Sequence, residues 1–181
     1  MKPWKTLLKK TILDHSRFLK VEEHEVELHD GRVIEDWPWL VLPDFINVVA
    51  VTEDGRFPCF RQTKYAVAGS TIAPIGGYTE PGEDPLDCAR REMREEIGYE
   101  SSQWRRLGSL PVDSNRGAGT AHFFLATGAR HVGQSESDDL EPQELLLLNR
   151  DELEAAIDNG EVKSLPWLAV FLLALRVLDG G

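Results

Sequence analysis

The segment from Asp84 to Gly98 constrains the fold more than any other stretch of the chain. Asp84 suits the N-cap of a helix, Pro85 fits the first helical position, and Gly98 is a natural stop. Between them Leu86, Ala89, Met93 and Ile97 recur at spacings of three, four and four, which puts them on one side of a helix. A single apolar stripe of this kind has to be buried against another layer.

The neighbouring sequence supplies strands for that layer. Residues 45 to 52 are valine-rich, Asp54-Gly55 offers a turn tolerant of positive φ, and residues 57 to 62 return, so a hairpin is expected there. Residues 104 to 110, 122 to 126 and 145 to 148 also read as strands. The first two of these are joined by a polar loop with Asn115, Arg116, Gly117 and Gly119. Residues 70 to 83, rich in Gly, Pro and Thr, read as loop. Asn149 with Glu152 forms a capping-box pattern for a helix ending at Asn159-Gly160, and Ser164 with Pro166 opens a last helix. Upstream, residues 18 to 42 alternate weakly around an Asp30-Gly31 turn. The expected organisation is a mixed α/β layered domain over residues 43 to 181, preceded by a small β extension in residues 1 to 42.

A formal net charge of -11 argues against generic nucleic-acid binding, which depends on lysine and arginine neutralising phosphates. It also repels a phosphorylated substrate, so such a substrate needs local cations, from metal or from placed basic side chains. Cys59 and Cys88 make no disulfide framework and lack metal-ligand spacing, which points to a reduced cytoplasm. Residues 1 to 10 lack the apolar run of a secretory signal. The most hydrophobic stretch, residues 165 to 175, contains Pro166 and stops at Arg176, short of the roughly 20 residues that span a bilayer. It reads as a buried or interface helix, with no membrane as partner.

The chemistry lies on the other faces of the first helix. Glu92, Glu95 and Glu96 share an arc roughly 100° wide beside the apolar stripe, while Arg90, Arg91 and Arg94 take the far side. Glu92 and Glu96 are like charges at i,i+4, and the helix dipole disfavours anions near its C-terminal end. A divalent cation reverses both penalties, and magnesium takes such hard oxygen ligands. For three glutamates alone, a solvated acidic face is an equal reading. The loop in front tips the balance: Gly76, Gly77, Pro81 and Gly82 let backbone approach the carboxylates, and Glu80 and Glu83 add acid.

Gly77 is followed after five residues by Glu83, then after seven by Arg91-Glu92-Met93, and Arg94, Glu95, Glu96, Ile97, Gly98 and Tyr99 complete the pattern. This resembles the Nudix family, all of whose specified motif positions, G-x5-E-x7-R-E-U-x-E-E-x-G-U with U a bulky apolar residue, are filled here. The resemblance implies an α/β/α sandwich with a mixed sheet, and metal-dependent hydrolysis of a pyrophosphate bond using Mg2+ or Mn2+. It implies Glu92 and Glu96 as the main metal ligands, Glu95 as a further one, the Gly76 carbonyl beside them, and Arg91 orienting the acids by a salt bridge.

Outside the motif, residues 20 to 178 resemble ADP-ribose and ADP-sugar pyrophosphatases. Gln62-Thr63-Lys64-Tyr65 is similar to their Gln-x-Arg-Tyr strand, with lysine where arginine is usual, and residues 108 to 126, with Pro111 and Arg116, resemble the segment after their motif. Where those enzymes carry Glu-Leu-Pro-Ala-Gly, this chain has Ala73-Pro74-Ile75-Gly76-Gly77, without the glutamate and with the proline shifted by one. The resemblance implies a nucleoside-diphosphate substrate, ADP-ribose or a nucleotide sugar, and a homodimer joined through the β extension.

Lys64 and Arg116 are candidate phosphate contacts, with surface charge as the plainer reading; Trp39 is a candidate base contact, with strand packing as the plainer one. The acidic loop from Glu136 to Glu144 holds five carboxylates in nine residues, and Glu141, then Glu144, are the candidates for a general base outside the helix. If that loop is only a lid, Glu95 or Glu96 serves instead. Dinucleoside polyphosphates, nucleoside triphosphates and a non-catalytic nucleotide sensor are the competing readings. The β extension favours a diphosphate-linked sugar, and the intact glutamates favour an enzyme.

Overall fold

The computed structural model describes residues 2–134 and 142–180, and its backbone forms two units. The first contains the chain up to Asp44 together with Leu110–Thr120. Three antiparallel strands follow one another there: β1 (Lys5–Ser16), β2 (Leu19–Glu27) and β3 (Val33–Val41). The Asp30-Gly31 turn joins the last two, with Gly31 at φ 86°. His24 and Val26 of β2 are buried, and the Trp39 ring stacks on His24 at 5.2 Å between centroids. Gly117 lies under the same indole, where a Cβ would stand 2.6 Å from a Trp39 ring carbon.

Two expectations change in this unit. Within the expected extension a strand of twelve residues, β1, precedes the alternating stretch from residue 18, and every one of its residues is exposed. Its apolar residues come as adjacent pairs, Leu7-Leu8 and Ile12-Leu13, so they carry no period of two. Residues 110 to 120, placed by sequence with the following domain, instead belong to the N-terminal strands. The Leu40 amide donates to the Arg116 carbonyl at 2.9 Å and the Trp37 indole to the Asn115 carbonyl at 2.8 Å.

The second unit holds two sheets. In one, β4 (Phe45–Thr52) lies between β7 (Ile75–Tyr78), antiparallel to it, and the part of β10 (Gly117–His131) from Ala121 onward, parallel to it, which makes the sheet mixed. The strands β8 (Tyr99–Glu100) and β9 (Gln103–Asp113) also pair with β10. The other sheet orders β11 (Gln143–Leu148), β5 (Phe57–Thr63) and β6 (Ser70–Ala73). The expected hairpin is therefore corrected: β4 and β5 sit in different sheets, and the Asp54-Gly55 turn carries the chain from one to the other. The expected loop at 70 to 83 also contains β6 and β7. Thr71 in it is fully buried, because its hydroxyl donates to the Glu161 carbonyl at 3.0 Å.

Strand alternation then sorts the core. Val49, Phe123 and Leu125 point one way, packing with Leu153 of α2 (Arg150–Asp158) and with Val170, Phe171 and Ala174 of α3 (Leu165–Leu178). Ile46, Val48, Ala50, Phe124 and Ala126 point the other way, packing with Cys88, Ala89, Met93 and Ile97 of α1 (Pro85–Ile97). Helices cover both faces, as an α/β/α sandwich requires. Each large side chain so buried contributes about 1.5–3 kcal/mol relative to exposure. The capping box forms as read, with the Asn149 side chain accepting from the Glu152 amide at 2.9 Å and the Glu152 carboxylate from the Asn149 amide at 2.7 Å. Among the described residues no helix is long and apolar enough to cross a membrane.

Candidate active site

The ends of α1 are fixed locally. The Asp84 carboxylate accepts from the Leu86 amide at 2.8 Å, Pro85 follows, and Gly98 closes the helix at φ 68° with its amide donating to the Arg94 carbonyl. With Cys88, Ala89, Met93 and Ile97 committed to the core, the arc carrying Glu92 and Glu96 turns toward the end of β7.

There the two glycines matter. Gly76 stands opposite Asn47 on β4, yet its amide donates to Glu96 Oε2 at 3.1 Å. A residue's amide and carbonyl leave an extended strand on the same edge, so the Gly76 carbonyl faces the Glu96 side as well. At Gly77 a Cβ would overlap the Glu92 carboxylate where it stands, so glycine leaves room for that carboxylate against the strand.

Arg91 gathers the acids. Its Nε and Nη2 donate to the two oxygens of Glu83 at 2.9 and 3.1 Å, and its Nη1 donates to Glu92 at 2.7 Å and Glu95 at 3.0 Å. These charge-assisted bonds hold the Glu83 carboxyl down at about 2 and push the Arg91 pKa up. Glu92 shifts the opposite way: burial raises it, against the pull of Arg91. A half-buried carboxylate sharing one guanidinium with Glu83 and Glu95 is a site short of positive charge. Burial also pushes the thiols of Cys88, on α1, and Cys59, on β5, up to about 12.

The donor chemistry fits a hard divalent ion: the carboxylates of Glu92, Glu95 and Glu96 and the carbonyl of Gly76 are all oxygens. Among the described residues no three acidic, His or Cys side chains are already drawn into a metal cage. Arg91 bonds to Glu92 and Glu95, and Glu96 accepts from the Gly76 amide.

The structure thus brings Gly76, Arg91, Glu92, Glu95 and Glu96 together. Lys64 follows β5 in the same unit and is half-buried. Arg116 and Trp39 belong to the N-terminal unit: Arg116 is exposed, its amide bonded to the Asp113 carboxylate at 2.8 Å, and Trp39 is packed on His24. Glu141 lies outside the described residues, and Glu144 is exposed on β11, opposite Arg61. Sequence reading missed Asn47. It is 3% exposed, and its Oδ1 has no hydrogen-bond partner among the described residues. The available signal was a lone amide in the apolar run Ile46 to Val49.

Comparison with known proteins adds to this geometry. The family model of the NUDIX domain matches residues 41–169. The chain is 31% identical over 93 residues to an ADP-ribose pyrophosphatase of Mycobacterium tuberculosis, a match covering 51% of this chain and 45% of that protein. It is 28% identical over 170 residues to a CMP-5'-(N-acetyl-N-hydroxy-3-aminopropyl)phosphonate hydrolase of Streptomyces rubellomurinus, covering 94% of this chain and 81% of that one. It is also 28% identical over 137 residues to a methanol dehydrogenase activator of Bacillus methanolicus, covering 75% and 74%. A crystal structure of an ADP compounds hydrolase matches with a TM-score of 0.80 over 99% of this chain and 96% of that one, at 17% identity, a likeness of fold.

Proposed function

This chain belongs to the Nudix family, and from that premise we propose that it cuts the pyrophosphate bond of ADP-ribose or a nucleotide sugar, releasing a nucleoside monophosphate and a sugar phosphate. The observation that carries this reading is the approach of Gly76 and Gly77 to Glu92 and Glu96. A strand end stripped of side chains leaves a carbonyl and carboxylates open to one cation and its phosphate. The kinship with ADP-ribose pyrophosphatases supports the substrate class.

In this reading Glu92 and Glu96, with Glu95 and the Gly76 carbonyl, would hold Mg2+ or Mn2+, which would supply charge neutralisation at the phosphoryl oxygens and lower the pKa of a water it binds. Arg91 restrains Glu92 and Glu95 and is itself anchored on Glu83. Glu141 is the proposed base for the attacking water, with Glu144 second. Lys64, Arg116 and Trp39 are proposed substrate contacts, whose alanine variants raise KM.

The test is a hydrolysis screen with Mg2+ or Mn2+ over ADP-ribose, ADP- and UDP-glucose, GDP-mannose, dinucleoside polyphosphates and nucleoside triphosphates, with products identified by mass. ADP-ribose or a nucleotide sugar is expected to lead. Triphosphates turning over about tenfold faster, a difference of about 1.4 kcal/mol in barrier, reject the proposed substrate. Glu141→Gln is expected to lower turnover by about 100-fold with binding kept, in line with general-base catalysis.

A homodimer is proposed as the working form. Trp4, Leu7, Leu8, Ile12, Leu13 and Phe18 are all exposed in the single chain, an apolar surface of the kind a second subunit buries. Light scattering at micromolar concentration is expected to give twice the chain mass, and a stable, active monomer refutes this.

A further inference from the structure

Turning α1 roughly half-way round from Glu92 and Glu96 brings up Arg90 and Arg94. Here a cleft of about 300 Å³ is lined by Arg90, Arg91, Met93, Arg94, Glu100, Ser101 and Trp104. It concentrates positive charge in a chain whose formal net charge is -11. Its size falls at the lower end of small-molecule cavities, roughly 300–1,000 Å³.

Two features give the cleft a ligand chemistry. Trp104 is held in place: its indole N–H donates to the Ser101 carbonyl at 2.8 Å, and its ring meets Phe124 edge-on at 6.4 Å. A half-buried indole with its one donor already spent offers only its ring to a visitor. The guanidinium groups, by contrast, are lightly committed. Arg90 pairs with Asp87 at 3.1 Å and Arg94 with Glu100 at 2.7 Å, and all four side chains are at least half exposed. Exposed pairs of this kind are worth about 0–1 kcal/mol, so a phosphate group with more charge and more acceptor oxygens can displace them.

We propose that this cleft is a second nucleotide site, which takes a nucleoside monophosphate with its phosphate on Arg90 and Arg94 and its base against Trp104. The site adjoins the acidic flank through Arg91 but takes none of its glutamates, and it does not require the hydrolytic reading.

AMP is the probe, and equilibrium dialysis of the full chain in EDTA the measurement. The Glu92→Gln/Glu96→Gln variant silences the acidic flank, and AMP is expected to bind it as it binds the unmodified chain. Arg90→Ala/Arg94→Ala and Trp104→Leu are each expected to weaken binding by about tenfold or more, whereas Trp104→Phe retains it. Adenosine and inorganic phosphate, each offering half of the chemistry, are expected to bind at least about tenfold more weakly than AMP. Should Trp104→Leu fail to fold by circular dichroism, the exposed arginine pair and Trp104→Phe decide the matter. Absence of AMP binding at millimolar concentration overturns the proposal. So does binding lost only in the glutamine variant, or binding indifferent to Arg90→Ala/Arg94→Ala.

Discussion

On one flank of α1 a single guanidinium, Arg91, holds Glu83, Glu92 and Glu95 at once; on the other, Arg90 and Arg94 each face one exposed carboxylate. The residue types are the same and the helix is the same. What differs is the backbone alongside. Gly76 and Gly77 bring a strand against the acidic flank, which removes water from Glu92 and makes every charge there depend on its neighbours. Asp87 and Glu100 stay at least half exposed to water, so each pair on that flank acts alone. Shared, partly buried charges build a site, whereas isolated exposed pairs contribute little.

The largest effect that sharpens this contrast is on turnover. Glu92→Gln and Glu96→Gln together are expected to lower kcat by orders of magnitude while the far-UV spectrum and Tm stay close to those of the unmodified chain. Activity near that of the unmodified chain would break the assignment of this flank. Next comes Gly77→Ala. Its new methyl pushes the Glu92 carboxylate aside without touching the core, so turnover is expected to fall on the order of 100-fold, the usual cost of ångström-scale misplacement. An unchanged kcat would mean that the glycine serves only the strand.

Smaller effects concern stability. Glu83 is held at about 2 against an ordinary value of 4.5, so its ion pair stabilises the fold fully above pH 4.5 and is lost as pH falls from 4.5 toward 2. The Tm gap between the unmodified chain and Glu83→Gln is therefore expected to be widest at neutral pH and to close across that interval. A gap independent of pH would assign the loss to packing. Arg90→Ala completes the series, with an expected change under about 0.5 kcal/mol by denaturant titration. A larger loss would show that the two flanks are not so different.

Features set by a few neighbouring residues were legible before any coordinates. Asp84, Pro85 and Gly98 bound the helix where they were expected to, Asn149 and Glu152 cap each other, and the turns at Gly31 and Gly55 adopt positive φ. Destinations were less legible. Nothing in the valine run of β4 or in its turn says that β5 leaves for another sheet, because strand partners are chosen by contacts far along the chain. The same holds for residues 110 to 120, whose partners Trp37 and Leu40 lie nearly eighty positions upstream. The motif spacing pointed to the acids that the structure gathers, but not to Asn47, since an apolar strand pattern hides a single amide.

The two buried cysteines have a consequence in the time domain. With their thiols pushed up to about 12, Cys88 and Cys59 carry almost no thiolate at neutral pH and no surface for a reagent to reach. Alkylation must therefore wait for the chain to open around them, and its rate measures that opening rather than sulfur reactivity. One thiol rides on the helix that carries the glutamates and the other on β5, in the other sheet. Their separate labelling rates would tell whether the glutamate-bearing helix lifts from its sheet alone or only when the whole unit unfolds.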